Sequence, residues 1–192
     1  MAELKPGSRL PLLFFGMLSL LGGVMAGLGR LGWEVPGPAM QAAGVHGPLM
    51  IAAFFGTVIS LERAVAAGRN WAYLAPLAAG ASGIALLAGT PLLIGQILGC
   101  LAALGLIAAS AVALRRQVAV FTIILTLAAA CWLVGNLLWL ATGDISVAVS
   151  WWLLFLVLTI AGERLELTRF LPTPPLAQKL FIGIVGVLLL SA

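Results

Sequence analysis

Residues 38–64 read PAMQAAGVHGPLMIAAFFGTVISLERA. The apolar run over 39–61 is long enough for a helix to cross a bilayer, which takes about 20 residues. It holds the only histidine of the chain, His46, with Pro48 two residues on and Met50 one turn below. It closes on a charged pair, Glu62-Arg63, which reads as the stop of the helix. An ionisable side chain inside a membrane span is costly and is a functional-site hypothesis by default.

Composition extends the membrane reading to the whole chain. The 192 residues are 62% hydrophobic and only 8% charged, whereas a soluble domain carries about a quarter charged residues. The isoelectric point near 9.8 would suit nucleic acid, but only ten basic residues exist. They sit at span ends, where topology accounts for them. With no basic patch interleaved with aromatics, nucleic acid is set aside and the lipid bilayer is the expected partner. Cys100 and Cys131 lie inside apolar segments with no CxxC and no second histidine, so they read as small buried hydrophobes. No paired intramembrane carboxylates, Ser/His/Asp set or phosphate-cradling glycine loop is present, so the chain reads as non-catalytic.

The expected fold is all-α: one polytopic transmembrane bundle over residues 1–192, with seven helices over about 10–29, 39–61, 71–88, 92–114, 118–141, 146–162 and 180–192. The first apolar run, preceded by Lys5 and Arg9, is too long for the h-region of a cleavable signal. The connection 163–179 contains Pro172, Pro174 and Pro175 and cannot be one continuous helix. The last span is short of the roughly 30 Å hydrocarbon core, which points to further helices beyond it or to an oligomer. With the N-terminus in the cytoplasm, Lys5, Arg9, Arg63, Arg69, Arg115, Arg116, Arg164, Arg169 and Lys179 lie inside and only Arg30 outside. Nine against one is a strong positive-inside bias and suits a bacterial cytoplasmic membrane.

Two features add detail. The 23 glycines, including Gly22, Gly23, Gly27 and the Gly95-x-x-x-Gly99 pattern, let helix backbones approach closely in lipid. The second and sixth spans both end on a Glu-Arg pair, Glu62-Arg63 and Glu163-Arg164, 101 residues apart. The matched pairs fit either a repeat of four helices or two ordinary interfacial stops. Adjacent residues on a helix do not face each other, so each pair is expected to bond to other elements.

Depth then sorts the polar groups. His46 lies about 10 Å below the outer end of its helix. Gln41 lies higher on the same helix, and Gln96 and Asn136 fall in the outer parts of the fourth and fifth spans. A polar pocket shaped by His46, Met50, Gln41, Gln96 and Asn136 would open outward. Three roles compete for His46. It is a structural imidazole bonded to another helix, an axial ligand to haem b or a metal, or the proton or substrate site of a small-solute transporter. Pro48 removes its own N–H and crowds the Gly44 carbonyl, loosening the helix beside His46.

The segment His46-Gly47-Pro48-Leu49-Met50 resembles the second-helix segment of haem-copper oxidase subunit I and of the related NnrS family. The resemblance implies a haem-ligating or metal-associated role for His46 and a fold of parallel four-helix units. It covers about 20 residues. Aligning the two Glu-Arg pairs puts Val147 opposite His46, and the sixth span has no histidine, so the copper ligands of the oxidases are absent. A bis-histidine haem site within these residues is excluded for the same reason.

Overall fold

The computed structural model describes residues 4–168 and 175–191. Among the described residues the chain forms seven helices and no strand. They are α1 (Pro6–Arg30), α2 (residues 37–67), α3 (Asn70–Leu87), α4 (Leu92–Arg116), α5 (Val120–Thr142), α6 (Ser146–Leu167) and α7 (Pro175–Leu190). The first six are long and apolar enough to cross a membrane, which makes this an integral membrane protein. Its exterior agrees. Leu10, Phe14, Leu21, Leu101 and Ile160 are all more than half exposed, as lipid-facing side chains are.

Several boundaries move. The Glu62-Arg63 and Glu163-Arg164 pairs do not stop their helices: α2 continues to Ala67 and α6 to Leu167. The charges are tolerated there because Arg63 bonds to Glu163 across the two helices. The α2 C-terminus is set instead by Gly68, whose left-handed conformation (φ 62°) turns its N–H back onto the carbonyls of Ala64 and Val65. The last helix starts at Pro175, where proline suits a first helical position, rather than near 180. Arg169, Pro172 and Pro174 lie outside the described residues.

α2 is the centre of the bundle and its least regular helix. It packs on α1, α3 and α4, and Gly56 and Gly47 let it reach α5 and α6. A Cβ at Gly56 would collide with the Trp132 ring of α5, and Gly47 faces Ile145 and Trp152. Its hydrogen-bond pattern changes four times, with a 3₁₀ segment at Ala42–Val45, a single α turn at His46–Pro48 and a π segment at Leu49–Phe55 before α geometry resumes at Gly56. Pro48 has no N–H to give the Gly44 carbonyl, so the α ladder breaks where the sequence places the loosening. Irregular backbone at membrane depth persists when it is buried in protein, and Pro48 and Leu49 are buried.

The other pole is the α4–α5–α6 layer, whose helices pack consecutively. Its core is aromatic: Trp132 stacks on Phe155 at 5.0 Å, and Trp139 meets Trp152 edge-on at 5.7 Å. All four are fully buried. Gly135 and Gly162 make room for this, because a Cβ at either would collide with Trp152 or Leu125. α7 packs only sparsely, chiefly on α6.

Candidate functional site: a lateral histidine pocket

His46 sits where the single α turn of α2 crosses α1. Its Nδ1 is 2.7 Å from the Gly23 carbonyl oxygen. A carbonyl can only accept, so Nδ1 carries the proton and donates, and in the neutral ring Nε2 keeps its lone pair. The close crossing depends on Gly27 as well, since a Cβ there would lie 2.9 Å from the imidazole Cε1. Gly23 and Gly27 are four residues apart on α1, one small-x-x-x-small stripe seating the ring.

The half-buried imidazole lines a lateral pocket of about 410 Å³ with Val24, Gly27, Leu28, Arg30 and Leu31 of α1. The walls are apolar, and the one fixed charge at the rim is the exposed Arg30 guanidinium. The arrangement brings together one imidazole, one cation and a greasy surface. That suits a largely apolar ligand carrying a negative charge.

The other expected members are elsewhere. Met50 packs one turn below on the same α1 glycine, and a Cβ at Gly23 would lie 2.7 Å from its Sδ. Gln41 is exposed above the pocket on α2. Gln96 and Asn136 do not share a cavity with His46. The Gln96 amide donates to the Trp139 carbonyl at 2.8 Å, tying α4 to α5. The Asn136 amide donates to the Gly99 carbonyl at 2.9 Å, and its Oδ1 accepts from Trp152 Nε1 at 2.9 Å. Both side chains are buried. Sequence depth put these groups in one layer, but helix order put them on different interfaces.

At the end of the bundle that carries residue 4, Arg63 of α2 is the hub of an ion cluster. Its guanidinium bonds Glu163, with Glu62 at 3.7 Å and Glu166 at 3.6 Å. Arg63 of one Glu-Arg pair therefore meets Glu163 of the other, while it also keeps its own neighbour Glu62 within ion-pair distance, contrary to the expectation for adjacent residues. Only Arg164 turns away, exposed on α6. Glu166 was not singled out from sequence, though it lies three residues from Glu163 on the same helix face.

Arg30, Gly23 and Gly27 were missing from the expected site. The signals existed: Gly23-x-x-x-Gly27 is a helix-contact pattern, and Arg30 is the one basic residue that the expected topology left apart from the others. Among the described residues no three His, Cys, Asp or Glu side chains converge on a point that could hold a metal ion. Cys100 and Cys131 are free and buried.

Fold and site together define a polytopic membrane protein with one imidazole presented to a lateral pocket. Over residues 9–192 the chain matches, and belongs to, the family described as domain of unknown function DUF8744. No curated protein and no solved structure matches it.

Proposed function

We propose that this chain is a non-catalytic haem-associated protein of the bacterial cytoplasmic membrane, with His46 Nε2 as an axial ligand to haem b. One observation carries the reading. The Nδ1–H bond to the Gly23 carbonyl fixes the tautomer that leaves Nε2 a ligand, the same orienting bond that metal-bound histidines make. The lining of the pocket supports the same reading. Val24, Leu28 and Leu31 would face the macrocycle, Gly27 would let it approach the ring, and Arg30 would pair with a propionate.

A bare metal ion is the poorer fit, because a lone imidazole supplies one ligand and no cluster of three surrounds it. A porphyrin brings its own four nitrogens and needs only one or two from protein. When bound, haem would supply electron-transfer or gas-binding chemistry. Met50 lies on the same helix face as His46, so it would not ligate the group from the opposite side, and any second ligand would come from another helix or another subunit, or be absent. The transporter reading has no comparable observation behind it, since Gln96 and Asn136 are committed to backbone and indole partners.

The test is an absorption spectrum, oxidised and reduced, of protein purified in mild detergent from cells supplied with a haem precursor. A Soret band at near-stoichiometric haem, lost in His46→Ala and shifted by Gly27→Ala, is the expected result. A colourless wild type, or an unchanged band in His46→Ala, overturns the proposal.

A further inference from the structure

A second, larger cavity lies on the far side of α3 from the histidine pocket's helices. It is an open apolar groove of about 670 Å³ running down the outer face between α3 and α4. Its walls include Ala78 and Ala81 of α3 with Leu101, Gly105 and Ala108 of α4, and Trp71 closes one end. The groove exists because the two helices touch through small residues. A Cβ at Gly105 would stand 2.9 Å from the Ala75 Cβ, so no side chain fills the space in front.

The charges at the Trp71 end say what covers it. Arg116 is engaged, donating to the carbonyls of Ala66 and Ala67 at the end of α2. Arg69 and Arg115 are exposed and have no carboxylate partner among the described residues. Among the described residues the carboxylates of this end, Glu62, Glu163 and Glu166, are gathered on Arg63 instead. Leu101, Ala108 and Arg115 recur every seven residues and share one stripe of α4. Arg115 therefore stands about 10 Å beyond Ala108 along the line of the groove. Arg69 is two residues from Trp71, whose indole is 40% exposed at the groove mouth, the position of an interfacial tryptophan.

We propose that this groove holds an acyl chain of an anionic phospholipid whose headgroup phosphate is bound by Arg69 and Arg115. The reasoning is charge complementarity: an apolar channel ends near two unmatched cations, and an anionic lipid joins an apolar chain to a phosphate. A second copy's helix laid in the groove would fill the channel and leave both cations uncompensated.

The experiment is native mass spectrometry of the full chain in mild detergent, titrated separately with phosphatidylglycerol and phosphatidylcholine. The wild type is expected to retain phosphatidylglycerol preferentially. Arg69→Gln and Arg115→Gln are each expected to weaken that preference about fivefold, the effect of one basic residue near an anionic surface. Ala108→Phe, at an exposed position that tolerates bulk, is expected to displace the chain and cut retention of phosphatidylglycerol with both arginines intact. Circular dichroism and elution volume check that each variant stays folded. Equal retention of the two lipids by the wild type overturns the proposal. So does an Ala108→Phe protein that binds as the wild type does, because the cations then act without the groove. A dimer that replaces lipid binding and is lost in Ala108→Phe overturns it in favour of a self-association face.

Discussion

His46 and Asn136 are both polar side chains at membrane depth, and their surroundings make them opposites. Asn136 has its amide on the Gly99 carbonyl and its oxygen on the Trp152 indole, inside a core of four buried aromatics. His46 makes one bond, to the Gly23 carbonyl, in a single α turn flanked by 3₁₀ and π segments, and its ring lines a cavity with Nε2 given no protein partner among the described residues. A polar group in lipid whose capacity is met inside the protein is a fastener. One that holds capacity in reserve towards a pocket is a candidate ligand. Depth alone does not distinguish them, but the count of satisfied atoms does.

The contrast breaks or sharpens by mutation, and the fastener side should show the larger stability effects. Trp152→Ala removes a fully buried ring, its edge contact with Trp139 and its bond to Asn136. It should cost about 3–5 kcal/mol, the range for large-to-small changes in a packed core, read as a lowered unfolding midpoint in detergent. Asn136→Ala leaves the Trp152 N–H buried without an acceptor and should cost about 1–3 kcal/mol. An Asn136→Ala protein as stable as the wild type would mean that this layer is held by packing alone.

The ion cluster should rank next. Arg63 is 92% shielded from solvent only because its partners surround it, while Glu62, Glu163 and Glu166 are each partly exposed. Water screens them, so the loss falls below that of a fully buried pair, at about 1–2 kcal/mol for Arg63→Ala. Glu163→Ala should cost less, because Glu62 and Glu166 remain beside the guanidinium. A double-mutant cycle on Arg63 and Glu163 measures the coupling directly. A coupling near zero would reduce the meeting of the two Glu-Arg pairs to coincidence of position.

The sequence made the bundle, its seven helices and the weak point beside Pro48 legible, because span length, apolar runs and proline chemistry are local properties. Helix ends were less so. Glu62-Arg63 looks like a stop until Glu163 is known to stand opposite, and that contact joins residues a hundred positions apart. The same limit governed the site. The imidazole's partner, Gly23, has no side chain to advertise itself, and its role comes from a backbone carbonyl at a helix crossing. Gln96 and Asn136 looked like pocket residues because composition reports that a polar group is present, not which neighbour satisfies it.

On the ligand side, His46→Ala should cost at most about 1 kcal/mol of stability, the scale of one interhelical hydrogen bond in a membrane protein, while removing the proposed ligand altogether. A large loss of stability with no change in bound pigment would turn His46 into a second Asn136. The smallest effect is expected outside the spans, at Asp144 in the α5–α6 loop. The Ser146 hydroxyl donates to Asp144 Oδ2 at 2.7 Å and the Ser146 amide to Oδ1 at 2.8 Å, and these bonds hold its carboxyl below the ordinary value of 3.8. A depressed pKa means that the carboxylate steadies the start of α6 fully above the unfolded pKa, and that this contribution disappears as pH falls through the folded value. The carboxylate is fully exposed, so solvent screens it and the effect is slight. Wild type and Asp144→Ala should differ a little in unfolding midpoint at pH 7 and converge as the pH is lowered below 3.8. The Asn136→Ala difference should stay constant over the same range, since neither partner titrates there. A difference at Asp144 that persists in acid would assign its role to loop geometry rather than charge.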